Sequence, residues 1–225
     1  MALAKVAILS SGEGTTAEAV IKAWANDPDA PMVNLVICNN PGAGIFKRLI
    51  KLNKDYELII EATLINSQTH PGSGAKKGEQ TKAEEEAILN KILAGNFDLI
   101  LLAGYMKKIG PKLVREFGWR SDYTSPYQAM MVNTHPGLLP NTIGYMGVHV
   151  QEYVLNNKLK AGHSLHVVSE GYDEGPVVAE HEVPVEPNDT PETLFERVKA
   201  SERKNLPTDL ANFINKRKEF LRSGE

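Results

Sequence analysis

Short apolar runs alternate with amphipathic stretches through the first part of the chain. Val6 to Leu9 is continuous and apolar, as in a parallel strand covered on both faces. Ala17, Val20, Ile21 and Trp24 then recur at helical spacing. The pattern repeats: strand Val33–Cys38, a polar turn, and a helix from about Gly44. "YELIIEATLI" (56–65) is a candidate third strand, and "NSQTHPGSGAKKGEQ" (66–80) is a Gly/Ser/Lys-rich loop expected to be the most flexible segment. "TKAEEEAILNKILAG" predicts an amphipathic helix closed by Gly95, and "FDLILLAGYM" a fourth buried strand ending in Gly104. "PKLVREFG" opens with Pro at a favourable helical position, and "AMMVNTHPG" is the fifth strand. Beyond it, "GHSLHVVSEGYDEGPVVAEHEVPVEPND" reads as two strands joined by a polar connection. A long amphipathic helix follows, with an N-cap candidate in "DTPETL" and a break expected near Pro207. Strand and helix in alternation predict an α/β, Rossmann-like, doubly wound and mostly parallel sheet with helices on both faces. No repeat or linker divides the chain, so residues 1–225 are expected to form a single domain.

Composition narrows the function classes. Hydrophobic content is 42% and charged content 24%, ordinary for a globular protein. A net charge of −3 argues against a general nucleic-acid or membrane-surface binder. A single cysteine, Cys38, excludes an intrachain disulfide and a Cys-rich zinc site, and fits a cytoplasmic setting. No apolar run approaches the ~20 residues of a membrane span. The apolar start before the first Gly turn is taken as a strand rather than a signal peptide. His163 and His166 lack helical metal-ligand spacing, and His149 and His181 lack a neighbouring Cys or second ligand, so no metal is expected.

Ligands of such sheets bind beyond the carboxyl ends of the strands, which selects "SSGEGTT", "CNNPG", "AGYMKKIG" and "NTHPG". Asn133 and His135 lie two apart at a strand end, so both can point to one side of the sheet. An Asn amide can donate to an oxygen that gains negative charge, while a His can move a proton in the same event. Asp173, on the Gly-flanked turn "EGYDEGP", is the best carboxylate to orient that imidazole. The same residues would also serve as an Asx turn, a satisfied polar group and a turn residue. Gly12-Glu13-Gly14 exposes backbone N–H groups at a helix start, and Thr15 and Thr16 add hydroxyls, which suits a phosphate monoester. It would equally serve as a plain strand-to-helix turn. "AGYMKKIG" could line a flat heterocycle pocket through its backbone, or contribute Met106 and Ile109 to the core and Lys107 and Lys108 to solvent.

Taken together, "AILSSGEGTT", "VICNN", "LLAGYMKKIGPKLV", "VNTHPGLLP", "EGYDEGPVV" and "NDTPETLFERVKASE" resemble the folate-dependent formyltransferase family from about residue 5 to about 214. The resemblance implies the Rossmann-like formyltransferase fold and transfer of a formyl group from 10-formyltetrahydrofolate to the amine of glycinamide ribonucleotide, in purine synthesis. It implies that Asn133 and His135 stabilise the tetrahedral oxyanion and that Asp173 keeps His135 protonated. It places the ribose phosphate on Gly14, Thr15 and Thr16, and the pterin along Met106, Lys107, Lys108 and Ile109, with Asn133 beside it. Glu202 would sit near the glycinamide end. Lys82 stands where the family often has an Arg that touches the folate. Family members occur as monomers and homodimers. The chain departs from the usual residues at Glu13, Thr16, Lys108, Gly137 and Arg203, and "SQTHPGSGAKKG" and "WRSDYTSPYQ" are insertions. These changes bear on the acceptor more than on the formyl chemistry, and leave an amino-sugar nucleotide as an alternative acceptor. The tRNA-specific and deformylase branches carry extra domains for which this length leaves no room. Outside the family, a non-catalytic nucleotide-binding Rossmann module predicts an acidic residue ending the second strand, where this chain has Cys38-Asn39-Asn40.

Overall fold

In the computed structural model, which describes residues 3–72 and 75–224, seven strands form one sheet in the order β3-β2-β1-β4-β5-β6-β7. The strands are β1 (Lys5–Ser10), β2 (Met32–Cys38), β3 (Glu61–Leu64), β4 (Leu99–Leu102), β5 (Met131–His135), β6 (Ala161–Val167) and β7 (Val177–Val183). The first five are parallel, and β6 and β7 run antiparallel to their neighbours. The helices are α1 (Thr15–Trp24), α2 (Ile45–Asp55), α3 (Lys82–Gly95), α4 (Pro111–Phe117), α5 (Val148–Asn156) and α6 (Pro191–Ser223).

The two faces of β1 explain its unbroken apolar run. Val6 and Ile8 pack under α1, α2 and α6, while Ala7 and Leu9 pack under α3 and α4. A strand covered on both sides has no solvated face on which to place polar residues. Because β1 lies between β2 and β4, the chain winds outward from it in both directions, and the strand order reverses at the carboxyl ends of β1 and β4.

Three local expectations change. The candidate third strand shortens to an edge strand, because Glu57 turns left-handed (φ 54°) and Asn53 clasps the backbone of Ile60 through both its amide atoms, at 3.0 and 3.1 Å. Helix α3 runs through Gly95, and the left-handed cap is Asn96 (φ 49°), which closes onto Leu93. Helix α6 does not break at Pro207: it is continuous over 33 residues. The same face carries Leu194, Val198, Leu206, Leu210 and Ile214 into the core on both sides of the proline, and that burial outweighs one missing backbone hydrogen bond.

The 66–80 insertion is tied down where it meets the sheet. Asn66 accepts from Gln68 N and Thr69 N at 2.9 Å each, and the Lys108 N–H donates to Gly78 O at 2.7 Å. Of the loop expected to be flexible, Ser73 and Gly74 lie outside the described residues. The 119–128 insertion folds as an aromatic patch: Trp119 meets Tyr123 edge-on at 5.9 Å, and Tyr127 packs on Phe213 of α6 at 5.5 Å.

Candidate active site

At the carboxyl end of β5 the peptide plane alternation sends Asn133 and His135 to the same side, and both meet one carboxylate. Asn133 Nδ2 donates to Asp173 Oδ1 at 3.2 Å, and His135 Nδ1 lies 3.3 Å from Asp173 Oδ2. Asp173 sits on the turn after β6 with φ 58°, a left-handed conformation that an Asp tolerates and that aims its carboxyl back at β5. Burial alone would raise the Asp173 pKa. Its hydrogen bonds to His135 and His166 prevail and hold the carboxyl below the usual range, so it is an anion at neutral pH.

His135 is closed on its other side. Thr142 gives its hydroxyl proton to Leu138 O (3.1 Å), so its oxygen is free to accept from His135 Nε2 at 3.0 Å. Each ring nitrogen of His135 therefore faces an acceptor. The ring is only 3% exposed, and it does not line the cleft described below but backs Asp173 from beneath.

His166 is the residue that sequence reasoning passed over. It pairs with Asn133 across the antiparallel β5–β6 ladder. Its Nδ1 faces Val167 O at 3.1 Å, which can only accept, so Nδ1 carries a proton. In the neutral ring Nε2 is then an acceptor, and Asn133 Nδ2 lies 3.0 Å from it. Nε2 is also 3.3 Å from Asp173 Oδ1. The Asn133 amide nitrogen thus lies against both Asp173, to which it donates, and His166 Nε2, which turns donor toward Asp173 when the ring is protonated. To meet an oxyanion, as expected of it, the amide must turn from these partners. The only sequence signal for His166 was a polar residue inside an otherwise buried strand. Its use depended on the direction of β6.

Asn133, His166 and Asp173 form one side of a cleft. The other walls are Tyr105, Lys107, Lys108 and Ile109 from the β4–α4 connection, and Val168 to Tyr172 from the turn before Asp173. A cleft with partly apolar walls and a few convergent polar groups suits a flat heterocycle in its chemistry. Lys107 is held by Glu84, at 2.5 Å. Tyr105 donors and acceptors are set by Gln80, whose Nε2 meets the phenol at 3.0 Å while its Oε1 accepts from Gly110 N at 2.7 Å. Two expected pterin or folate contacts fall outside the lining. The Met106 N–H donates to Ser11 Oγ at 2.8 Å and its side chain is exposed; Lys82 is exposed in the first turn of α3.

The Gly turn after β1 leads into α1 through Gly14, whose φ of 73° favours glycine and whose close contact with Ile45 leaves no room for a Cβ. Among the described residues no side chain caps α1, which leaves its first N–H groups open to an anion. Arg48 fixes the turn by donating from Nε to Glu13 O at 2.6 Å. The Glu13 carboxylate lies exposed, against Gly44 at the start of α2. Thr15 is partly exposed, but Thr16 is buried and its hydroxyl donates to Glu202 Oε1 at 2.8 Å rather than facing a phosphate.

Glu202 is itself 1% exposed. Its Oε1 also takes Lys199 Nζ at 2.6 Å, and its Oε2 takes Thr134 Oγ1 at 2.7 Å. Burial would raise its pKa, and the Lys199 charge with the three hydrogen bonds lowers it instead. The two carboxylates, Asp173 and Glu202, therefore approach β5 at adjacent residues, 133 and 134, which alternate to opposite faces of the sheet. Among the described residues no group of three or more His, Cys, Asp or Glu is arranged to hold a metal ion, and no helix is long and apolar enough to cross a membrane.

The chain is similar to known proteins over most of its length. A phosphoribosylglycinamide formyltransferase of Bacillus subtilis (strain 168) is 28% identical over 93% of this chain and 94% of its own length. The trifunctional purine biosynthetic protein adenosine-3 of Drosophila melanogaster is 30% identical over 94% of this chain, which spans 14% of that longer protein. The crystal structure of phosphoribosylglycinamide formyltransferase from Brucella melitensis superposes with a TM-score of 0.76 at 29% identity, covering 95% of this chain and 96% of that one. The formyl transferase family profile matches residues 4–210, from β1 into α6 and across every element that builds the cleft, and the chain belongs to that family.

Proposed function

We propose that this chain transfers the formyl group of 10-formyltetrahydrofolate to the amine of glycinamide ribonucleotide, as a step of purine synthesis. One observation carries the reading: Asn133, His166 and Asp173 converge on one cleft, with His135 behind the carboxylate. The names and extents of the relatives in purine synthesis support the acceptor.

The pterin occupies the cleft against the backbone of Lys107 to Ile109, with Met106 and Lys82 at its outer edge. The acceptor phosphate takes the open N–H groups at Gly14, Thr15 and Thr16, and Glu202 stays below as the support of that site. The acceptor amine attacks the formyl carbon, forming a C–N bond and placing negative charge on the formyl oxygen. Asn133 turns its amide from Asp173 and His166 to that oxygen, and His135 acts from behind, holding Asp173 in place. The amine proton passes by way of Asp173 and His135, or water held by them, to the folate nitrogen as its bond to the formyl carbon breaks. No covalent enzyme intermediate is needed. The chain works as one catalytic domain, in the cytoplasm, as a monomer or homodimer, with no metal.

The test is formyl transfer by the purified chain, followed by folate absorbance, with and without glycinamide ribonucleotide. Turnover that requires the ribonucleotide is expected. Turnover without it would make the chain a deformylase. Folate binding with no turnover would move the acceptor to another amine such as an amino-sugar nucleotide, a reading favoured by one observation, the commitment of the Thr16 hydroxyl to Glu202.

A further inference from the structure

Gly137 makes room for the side chain that closes His135 from behind. The turn after β5 is pinned on two sides. The Ser164 hydroxyl, opposite His135 on β6, lies 2.9 Å from Gly137 O and accepts from Leu139 N at 3.1 Å, and Gln151 of α5 donates from Nε2 to Pro136 O at 2.5 Å. With the backbone held, a Cβ at Gly137 would stand 2.3 Å from Thr142 Oγ1 and 2.7 Å from a Val150 methyl, closer than non-bonded atoms approach. Thr142 fills the space that the glycine leaves. It is 1% exposed, its hydroxyl donates to Leu138 O at 3.1 Å, and its oxygen meets His135 Nε2 at 3.0 Å.

The two ring nitrogens of His135 therefore look at two acceptors, Thr142 Oγ1 and Asp173 Oδ2. A neutral imidazole has one N–H and satisfies only one of them; the lone pair of its other nitrogen then faces a lone pair. A ring with a proton on each nitrogen satisfies both. The other titratable groups nearby act at one remove: His166 shares the Asp173 carboxylate, and Glu180 of β7 lies behind Ser164, 3.1 Å from its hydroxyl. The residues of β6 and α5 that pack on the turn, Ser164, Val150 and Gln151, carry no charge. Hydroxyl, imidazole and carboxylate in a row also resemble a nucleophilic triad. Thr142 does not fit that use, because it is buried, lies outside the cleft lining and directs its proton to Leu138 O.

We infer that Thr142 is a positioning residue: its oxygen holds the Nε2 proton of His135, and the doubly protonated ring in turn holds Asp173 as an anion at the cleft. The inference rests on the reading of Asp173 as a proton-carrying group of formyl transfer. Because Nε2 ends on a buried hydroxyl, the ring exchanges protons with the cleft only through Nδ1 and Asp173. Only the oxygen of Thr142 matters to this role. A methyl in its place leaves a charged N–H buried without an acceptor, which favours the neutral ring. Loss of the hydroxyl then moves proton uptake by the ring to lower pH, and the alkaline limb of the rate profile moves with it.

The experiment follows the His135 ring nitrogens by NMR against pH, with the signals assigned by their loss in His135→Gln. The native chain is compared with Thr142→Val, which keeps the shape without the oxygen, and with Thr142→Ala, in case the second methyl disturbs packing. Thr142→Ser restores the oxygen. In Thr142→Val and Thr142→Ala the titration midpoint is expected to fall by about one pH unit, the scale of a lost hydrogen bond to a charged group. Thr142→Ser should stay on the native curve. A native midpoint in Thr142→Val and Thr142→Ala, or an equal fall in Thr142→Ser, would overturn the inference. In the formyl-transfer assay the alkaline limb of kcat should move with the midpoint, while the KM for the folate donor changes by less than about twofold. A limb that stays in place in an active chain, while the midpoint moves, would also overturn it. If the midpoint moves as expected but even the native chain transfers no formyl group, the hold of Thr142 on His135 stands and the proposed reaction falls.

Discussion

Two buried carboxylates meet β5 at neighbouring residues, yet they are built for different work. Asp173 opens on a cleft, and its contacts to two histidines are long, at 3.3 Å each. Glu202 is sealed under α6, and its three donors stand at 2.6 to 2.8 Å. Short, complete satisfaction marks a group that holds parts together: Glu202 joins α1 through Thr16, β5 through Thr134 and α6 through Lys199. Long contacts, shared among groups that can each carry a proton, mark a group that can exchange partners during a reaction. A buried carboxylate is thus a strut on one face of the sheet and, in the proposed reaction, the reactive centre on the other.

The contrast is broken most directly at Asp173. Asp173→Asn keeps the shape and removes the charge that faces His135 and His166. On the order of a 10³-fold loss in kcat is expected, the usual scale of positioned acid–base groups. Circular dichroism and thermal unfolding should stay near native. Turnover within tenfold of native would show that Asp173, too, is a strut.

Glu202→Gln should do the reverse. It leaves Lys199 without its counter-charge and replaces a triple acceptor with an amide. Breaking a mostly buried pair by removing one partner costs roughly 3 kcal/mol. Urea unfolding is the measurement, and the activity of the fraction still folded should fall much less than in Asp173→Asn. Native stability in Glu202→Gln would remove the strut role and return the residue to direct substrate contact.

The sealed side also sets an acid limit. His163 sits beneath α6 beside Ser201, its Nε2 at 3.1 Å from that hydroxyl and its ring stacked on His181 at 4.9 Å. Burial, only partly offset by the Glu202 charge, depresses its pKa to about 4. An unfolded chain takes up that proton near pH 6.5, so between pH 6.5 and 4 the unfolded state binds more protons than the folded one. The stabilisation is complete above pH 6.5 and is lost as pH falls toward 4, by up to about 3 kcal/mol. His163→Gln should flatten the stability profile in that window alone. An unchanged slope would place the acid sensitivity elsewhere.

Much of this was legible in the sequence, for identifiable reasons. The parallel core was readable because strands covered on both faces permit only apolar residues. That Asn133, His135 and Asp173 would meet was readable because residues two apart on a strand share a face and a Gly-flanked turn can return a carboxylate to it, although the same residues also fitted plain turn and polar uses. His166 was not, because its role depends on β6 running antiparallel to β5, which sets Asn133 opposite it. Thr16 was misjudged for a similar reason: its partner lies 186 residues away, and local spacing gave its hydroxyl only the nearby turn to face. The unbroken α6 escaped local rules as well, since a proline's penalty is read from its own position and the burial that overrides it is spread along the helix.

The smallest expected effect sharpens the comparison most. Thr134→Val removes the only hydrogen bond to Glu202 Oε2 among the described residues and leaves Oε1 with Thr16 and Lys199. A lost bond to a buried charged group costs about 1–3 kcal/mol, and the lower end is expected here because the carboxylate keeps two donors. If the cluster is one unit, Thr134→Val combined with Lys199→Met should depart from the sum of the single changes by more than about 0.5 kcal/mol, as groups sharing a network do. The same Thr134→Val change paired with Asp173→Asn should add without coupling in stability, since the two act on opposite faces of β5. Coupling across the strand would mean that the strut and the reactive centre are a single device, with Thr134 and Asn133 transmitting between them through the backbone they share.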